Sequence, residues 1–429
     1  MSSRSEIASG IDRSRLYGRI AWRILPILMA AQILAFLDRA NVGFAQLQMK
    51  DSLSLSNTAY GLGAGIFFIG YFLFEIPSNI ILHRVGARRW FTRILITWGI
   101  ATALMSLVES TSAFYALRFI IGAAEAGFAP GTQLYFSRWF PDSYRGRCNG
   151  VFLVTIPLSF LIGGPIAGMI LGPLDGVMGW HGWQWLFFIE GSATVALAPV
   201  LYKLLTDSPS DAQWLSSAER AAVEADIYSQ GEGAADGRPF GRRSLGFSAA
   251  FFLLLCGMYG ITFWLPLLLQ DSGVLDPRRI GWLSALPFVG ATLGVLLLSR
   301  WSDRHRRRRS ALIGCALAAA IGLALTASAA HSLVLSLVGL IMAATGIQSA
   351  VPVLWAAIAR SYAGRSAAVA FAFINSCGNL AGFCSPYLVG YIADATGSPR
   401  PAMYILSLLL AASAGAMALL VKSDEGTIT

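Results

Sequence analysis

Six acidic or basic side chains lie well inside the long apolar stretches of this 429-residue sequence, away from the ends of those stretches, and they are the side chains best able to do chemistry. An ionised group inside a bilayer is costly unless it faces protein or a water-filled cavity. Each of them therefore requires a partner or a functional reason. The six are Asp38, Arg39, Glu75, Arg118, Glu125 and Glu190.

Arg39 and Arg118 are predicted to bind an organic anion between them. Each lies roughly 10 Å from the same end of its helix at about 1.5 Å rise per residue, so their guanidinium groups share a depth. Arginine stays charged, and its planar fork matches a carboxylate. The alternative is that acids neutralise both arginines and leave neither for a substrate. Asp38 or another acid would then pair with Arg39. Glu125 would pair with Arg118.

Asp38 and Glu125 are predicted to carry protons. Glu125 follows Arg118 by seven residues, which places it two turns along the same helix face and closer to the middle of the bilayer. Burial favours the protonated carboxyl, whereas a nearby arginine favours the ionised one. A change of solvent access would alter this balance, so the acids could take up a proton on one side and release it on the other.

Three further residues are assigned to the scaffold or to the edge of the site. Glu75 lies about 11 Å from the inner end of its helix, near basic loops, and is interpreted as an inner gate or salt bridge with the loop arginines. Glu190 lies near the outer end of its helix and is interpreted as structural. Tyr71 is predicted to face the cavity and contact substrate, and a packed interface position is the equal alternative.

Polar side chains in the second half of the chain are predicted to supply further substrate contacts. Gln348 and Trp355 lie on one predicted helix, and Asn375 and Asn379 lie one turn apart on the next. A buried amide must find a hydrogen-bond partner, and a substrate hydroxyl can provide it. The alternatives are hydrogen bonds between helices for the amides and aromatic packing for the tryptophan.

Twelve apolar windows position these residues. The chain is 55% hydrophobic and 13% charged, with a mean hydropathy of +0.61, which is unusual for a soluble domain. A transmembrane helix requires roughly 20 mostly apolar residues. Such windows lie near 20–45, 57–82, 90–108, 111–138, 148–172, 182–205, 244–270, 279–300, 310–329, 332–360, 367–392 and 400–421. The sequence therefore predicts an all-α integral membrane protein with twelve transmembrane helices.

Charged loops predict the topology. If the first connection is outside and the loops alternate, the short inner loops hold fifteen arginines and the outer loops hold four basic residues. Positive residues favour the cytoplasmic side, so both termini are predicted to be cytoplasmic. The net charge of +9 therefore indicates membrane topology, and no nucleic-acid partner is expected.

One polar stretch divides the sequence into two halves. Residues 1–205 are predicted to form an N-terminal six-helix bundle, 206–243 a cytoplasmic linker with a short helix, and 244–429 a C-terminal six-helix bundle. Arg88 and Arg306 follow the second helix of each half, 218 residues apart, and Arg147 and Arg365 follow the fourth at the same offset. This constant offset indicates a duplicated unit with a site between the halves near the bilayer midplane.

The chain resembles the major facilitator superfamily along nearly its whole length. Ser302-Asp303-Arg304 is similar to the superfamily's loop motif after helix 8. The stretch from Pro77 to Arg89 is similar to the equivalent motif after helix 2, although it lacks the usual Asp. The resemblance implies the major facilitator fold, and it places Arg88, Arg89, Asp303 and Arg304 at gates or in structural contacts.

Within that superfamily the sequence is similar to the anion:cation symporter family, in particular to its bacterial branch that carries tartrate, phthalate, sugar acids and aromatic acids. The resemblance implies proton-coupled uptake of a small organic anion, with acids that move protons and arginines that contact the carboxylate. It also implies a bacterial inner membrane, and we expect a monomer. The residues that carry it are Leu37-Asp38-Arg39-Ala40-Asn41, Gly70 to Pro77, Arg118, Glu125 and Gly182 to Gly191.

Other functions fit the sequence less well. It has no nucleotide-binding loop, metalloprotease motif or nucleophile elbow. The five cysteines lack metal-ligand spacing, so we expect no catalysis, metal or cofactor, and a proton gradient as the energy source. Antiport or export of a drug-like compound is the main alternative, because Gly164-Pro165 and Gly168 partly match an antiporter signature. A receptor would need an added signalling domain, and a channel conflicts with two halves that rock around one site.

Overall fold

The computed structural model describes residues 11–228, 241–305, 307–329, 332–362 and 364–421. In these ranges the chain forms sixteen α-helices, and we label them α1 to α16 in chain order. They are Arg13–Ser52, Asn57–Val85, Ala87–Leu104, Thr111–Glu125, Phe128–Trp139, Asp142–Leu153, Thr155–Leu171, Gly182–Leu204, Ser217–Tyr228, Arg242–Gln270, Pro277–His305, Arg308–Ser328, Leu333–Ala359, Gly364–Asn379, Ala381–Thr396 and Arg400–Leu420.

These helices form the twelve predicted spans, but the fourth span is broken. The described chain has ten apolar segments that are each long enough to cross a membrane, and one of them joins α6 to α7. The fourth span is divided between α4 and α5 at Ala126 and Gly127, whose φ and ψ are not helical, whereas α14 and α15 meet at Leu380, which keeps helical φ and ψ. The apolar window at 111–138 therefore holds two separate helices. The window at 20–45 also covers only the middle of α1, which begins at Arg13 and ends at Ser52.

The break in the fourth span follows directly after Glu125. Helix α4 ends at Glu125, and Gly127 adopts a φ of 89°. This backbone conformation is energetically unfavourable for every residue that has a Cβ, but not for glycine. A Cβ at position 127 would also lie 2.3 Å from the Oγ atom of Ser78 in α2. The glycine at position 127 therefore allows both the turn and the close approach of α2. As a result, the C-terminal carbonyl groups of α4 lie inside the protein.

The far side of the molecule is closed by direct backbone contacts. We call the side that holds the start of α1 and the end of α16 the termini side, and the opposite side the far side. On the far side a Cβ at Gly61 would lie 2.3 Å from the carbonyl oxygen of Pro386. A Cβ at Gly164 would lie 2.5 Å from the carbonyl oxygen of Gly281. At these two glycines the first six spans therefore pack against the last six without an intervening side chain.

A carboxylate also joins the two sets of spans on the far side. Asp394, in the last turn of α15, accepts hydrogen bonds from the backbone N–H groups of Asn57 at 2.9 Å and Thr58 at 2.8 Å. These residues begin α2, where a negative charge meets the positive end of the helix dipole. Asp394 therefore caps a helix that lies on the other side of the interface.

We expect Asp394→Asn to weaken closure of the far side. Asparagine keeps one acceptor oxygen but loses the second one and the charge, which at a helix N-terminus contributes up to about 1 kcal/mol, so the ratio of closed to open molecules should fall by up to about fivefold. The distance distribution between spin labels placed on the two sets of spans would measure this change. Asp276→Asn is the matched control, because Asp276 accepts from Arg278 N–H at 3.1 Å within a single set of spans. Equal shifts in both variants would contradict the prediction.

Candidate functional site

Two ion pairs join the first span to the fourth. Arg39 donates from Nη2 to Oε1 of Glu125 at 2.5 Å, and Nη1 of Arg118 lies 3.8 Å from Oδ2 of Asp38. The structure thus brings the four residues predicted to bind anion and protons into one cluster. The pairing differs from the alternative weighed from the sequence, because Arg118 faces Asp38 and Glu125 faces Arg39.

The geometry of α1 and α4 explains this arrangement. Asp38 and Arg39 are consecutive on α1, so their side chains point about 100° apart around the helix axis. Arg118 and Glu125 are seven residues apart on α4 and share one face. Each residue of the α1 dipeptide therefore meets a different turn of α4.

Arg39 lies in an aromatic setting and remains partly accessible. Its guanidinium lies 4.9 Å from the ring centre of Phe36, 5.1 Å from that of Phe67 and 5.3 Å from that of Tyr71. Its side chain is 12% exposed, and among the described residues its Nε atom has no hydrogen-bond partner. Aromatic faces stabilise a cation without using its N–H groups, so Arg39 keeps donors for another acceptor.

Arg118 is placed differently. Its side chain is 0% exposed, and its guanidinium lies 4.9 Å from the ring centre of Phe67. In the described part of the chain, none of its three side-chain nitrogens has a hydrogen-bond partner. The two predicted anion ligands therefore differ in this conformation: Arg39 is partly open, and Arg118 is enclosed. The substrate role of each arginine remains a prediction.

Glu125 is the last residue of α4. The unpaired carbonyl groups at a helix C-terminus carry a partial negative charge, which repels a carboxylate at that position. Arg39 offsets this repulsion through the 2.5 Å contact. Loss of the Arg39 contact would make the charge of Glu125 less favourable, which links the protonation of this acid to what Arg39 binds.

The structure adds Glu190, Asn41 and Thr102 to this cluster. Asn41 donates from Nδ2 to Oε2 of Glu190 at 2.7 Å, and Thr102 donates from Oγ1 to Oδ1 of Asp38 at 3.1 Å. The sequence reading placed Glu190 beside an outer turn, but its side chain is buried next to the ion pairs. The spacing of Asp38 and Asn41, three residues apart on one helix, was a signal that could have drawn attention to Asn41.

Tyr71 and Glu75 lie on the same side as Arg39. Tyr71 is buried and faces its guanidinium, whereas Glu75 is half-buried and accepts a hydrogen bond at its backbone oxygen from Asn79. Among the described residues no ion pair joins Glu75 to a loop arginine, and the cation that acts on it is Arg39. The salt bridge predicted between Glu75 and the loops is therefore not formed within the part of the chain that the structure describes.

The polar residues of the second half stand apart from the ion pairs. Trp355 packs between Phe251 at 5.3 Å and Phe371 at 5.7 Å between ring centres, as its packing alternative expected. The three amide residues are half-buried, and no hydrogen bond joins them to the ion pairs in the described ranges. Their substrate contacts stay predictions. They are Gln348, Asn375 and Asn379.

The loop after α2 is anchored to the start of the predicted linker. The backbone N–H of Arg88 donates to Oδ1 of Asp207 at 2.8 Å, and its Nε donates to the carbonyl of Tyr202 at 2.5 Å. Asp207 thus caps α3 from outside the loop, which itself lacks the usual Asp. Arg89 and Arg304 are exposed. The side chain of Asp303 and the whole of Arg306 lie outside the described residues.

No group of histidine, cysteine and acidic side chains that could hold a metal ion is found in the described ranges. The five cysteines are free. The candidate site therefore consists of two arginines, three acids and the polar and aromatic side chains around them. Such a site can bind an anion and protons.

Comparisons with known proteins identify the family of the chain. The family model described as Major Facilitator Superfamily matches residues 28–277 and 270–428. A protein of Agrobacterium vitis named "Putative tartrate transporter" is 41% identical over 412 residues, which are 94% of this chain and 93% of that protein. A protein of Acinetobacter baumannii named "Quinolone resistance transporter" is 36% identical over 398 residues, which are 91% of each chain.

A solved structure shares the fold at low sequence identity. The xylose transporter XylE of E. coli, in its inward open conformation, has a TM-score of 0.76 at 15% identity. The match covers 95% of this chain and 98% of that one.

Proposed function

The chain belongs to the Major Facilitator Superfamily, and on that premise we propose that it takes up a small organic carboxylate together with protons by alternating access. It is a multi-pass membrane transporter and not an enzyme. The observation that carries the proposal is the contact between Arg39 and Glu125 at the end of α4. At a partly exposed cation held by a buried acid, a substrate carboxylate can bind the cation while a proton binds the acid, so that the two are carried together.

The mechanism follows from competition for Arg39. A substrate carboxylate that binds the guanidinium takes the place of Glu125, which then lacks its ion-pair partner at the end of α4. Proton uptake removes the charge of Glu125 and so favours substrate binding. Release of the substrate returns Arg39 to Glu125, and the proton leaves. Discontinuous helices at the site, such as the fourth span, are typical of transporters in which two halves rock around a central substrate.

Arg118 and Asp38 would form a second, enclosed part of the same site. The unpartnered donors of Arg118 would reach a substrate if the halves moved apart. The polar residues Tyr71, Asn375 and Asn379 would then contact hydroxyl groups. Tartrate, sugar acids, phthalate and aromatic acids are the substrate classes that fit one or two arginines beside such donors.

The surroundings of the transporter are part of the proposal. We place it as a monomer in the lipid bilayer of a bacterial inner membrane, with the termini side in the cytoplasm. Residues 1–205 and 244–429 would be the rocking halves, and 206–243 the linker. The proton gradient would supply the energy, without a metal or organic cofactor.

Export of a drug-like compound in exchange for protons is the second candidate. The observation that favours it is the 36% identity to a protein named for quinolone resistance. The glycines of the partial antiporter signature support it less, because the backbone at Gly164 packs against Gly281 on the far side, as expected for a close helix contact.

Uptake into proteoliposomes distinguishes the two candidates. Tartrate, a sugar acid, phthalate and hydroxyphenylacetate would each be tested with and without an inward proton gradient. We expect at least one of them to accumulate only when the gradient is imposed, because each coupled proton supplies about tenfold accumulation per pH unit. Uptake that is indifferent to the gradient would refute symport. Gradient-driven movement of a quinolone against the proton flow would support the export candidate instead.

A further inference from the structure

The buried cluster holds more carboxyl groups than arginines. Arg39 faces Glu125 and Arg118 faces Asp38, while Glu190 faces an amide. If all five groups were ionised, the cluster would carry one uncompensated negative charge. A buried charge without a partner is strongly destabilising, and in a membrane span the cost is greater.

The hydrogen bonds of Glu190 point to where the balancing proton lies. Oε2 of Glu190 accepts from Nδ2 of Asn41 at 2.7 Å. Within the described residues, two atoms of this pair lack a hydrogen-bond partner, Oε1 of Glu190 and Oδ1 of Asn41. Both are acceptors when Glu190 is ionised, and both residues are more than nine-tenths buried. If Oε1 of Glu190 carried one proton, it could donate a hydrogen bond to Oδ1 of Asn41. Both atoms would then have a hydrogen-bond partner, as in a carboxylic acid paired with an amide.

The charged neighbours of Glu190 come from two helices. Asp38 on α1 and Glu125 on α4 repel a charge on Glu190, and Arg118 on α4 attracts it. Arg118 already faces Asp38, so it gives little net compensation. Thr102 on α3 donates to Asp38 and not to Glu190.

We infer that Glu190 and Asn41 form a proton-binding site of their own, which holds one proton while the far side is closed. This proton keeps the empty cluster neutral. Any proton taken up with a substrate anion is then additional and goes to Glu125 or Asp38. The inference deepens the proposed function and rests on it for the meaning of the proton, although its detection does not require transport.

Infrared difference spectroscopy of the full-length protein in lipid nanodiscs tests the inference. A protonated buried carboxyl gives a C=O stretching band that an ionised one lacks. We expect such a band without substrate at neutral pH, and we expect Glu190→Gln to remove it. Glu109→Gln, at an exposed acid, is the matched control and should leave the band intact. Glu190→Asp should retain a shifted band.

A second variant keeps the test decisive if Glu190→Gln fails to fold. Asn41→Ala removes the proposed hydrogen-bond acceptor, so the band should move to the higher frequency of a carboxylic acid without a partner. Loss of the band in Glu125→Gln but not in Glu190→Gln would overturn the inference, and so would the absence of any band. Gradient-independent uptake together with an intact Glu190 band would refute symport and leave the inference standing.

Discussion

Arg39→Ala is expected to abolish carboxylate uptake, with an affinity loss of at least 100-fold for every anion transported. The guanidinium is the partly accessible cation of the cluster. Hydrogen bonds to a charged partner contribute about 1.5–3 kcal/mol each, and two of them correspond to a loss of 100-fold or more. Substrate-dependent quenching or calorimetry on purified protein would measure binding, and proteoliposome uptake would measure transport.

Arg39→Ala also leaves Glu125 buried without its cation, which destabilises the protein. Loss of uptake alone would therefore not distinguish a lost binding site from a lost fold. Removing one partner of a buried pair costs about 3–5 kcal/mol of stability. The double variant Arg39→Gln with Glu125→Gln removes both charges and should restore the folded yield without restoring binding. Arg15→Ala is the control on the same helix, because that side chain is 91% exposed. Anion binding by the double variant would remove Arg39 from the site.

The replacement Arg39→Lys refines this expectation. Lysine keeps the charge but lacks the planar fork that matches a carboxylate in two hydrogen bonds. Its binding should therefore fall between those of the wild type and Arg39→Ala. Equal binding by lysine and arginine would mean that the site uses only the charge.

The sequence could predict which charges gather because few residues can be ionised inside apolar helices. Each ionised group inside the membrane needed a partner, and few groups of opposite charge lay at a similar depth. These groups are Asp38, Arg39, Arg118 and Glu125. The pairing was not predictable. Which of two consecutive residues on α1 faces Glu125 depends on the rotation of α1 against α4, and hydropathy carries no information about that rotation.

Glu190 was misplaced for a related reason. Its depth was judged from a window edge, but it lies eight residues into α8, or about 12 Å along the axis, where the helix packs against α1. The break after Glu125 was hidden as well. Gly127 and its neighbours are apolar enough to continue a hydropathy window, and neither the positive φ of Gly127 nor its close contact with Ser78 can be read from hydropathy.

The twelve spans were predictable because each one must satisfy its backbone internally across the bilayer. The contacts between the spans were less predictable. The far-side contacts of Gly61 with Pro386 and of Asp394 with the start of α2 join residues more than 300 positions apart. No local pattern in a single sequence marks such pairs.

Glu125→Gln is expected to abolish proton-driven accumulation while preserving exchange of substrate across the membrane. Glutamine has nearly the shape of the protonated acid, so Arg39 would stay available to a carboxylate, but no proton could be taken up at position 125. With one coupled proton the wild type should accumulate substrate about tenfold per pH unit. In the variant this ratio should fall to about one, because energy coupling to the gradient is lost.

Two measurements on the same vesicles separate this outcome from simple inactivation. Counterflow, in which labelled substrate enters preloaded vesicles without a gradient, should remain within about threefold of the wild type, since a change below about 0.7 kcal/mol would account for it. Gradient-driven uptake should disappear. Glu109→Gln replaces an exposed acid and should retain both activities.

Because Glu125 competes with the substrate for Arg39, the Glu125→Gln variant should also bind substrate at least as tightly as the wild type at high pH, where the wild-type acid is ionised. Weaker binding there would show that Glu125 contacts the substrate directly, and the division between proton-carrying acids and substrate-binding arginines would have to be abandoned.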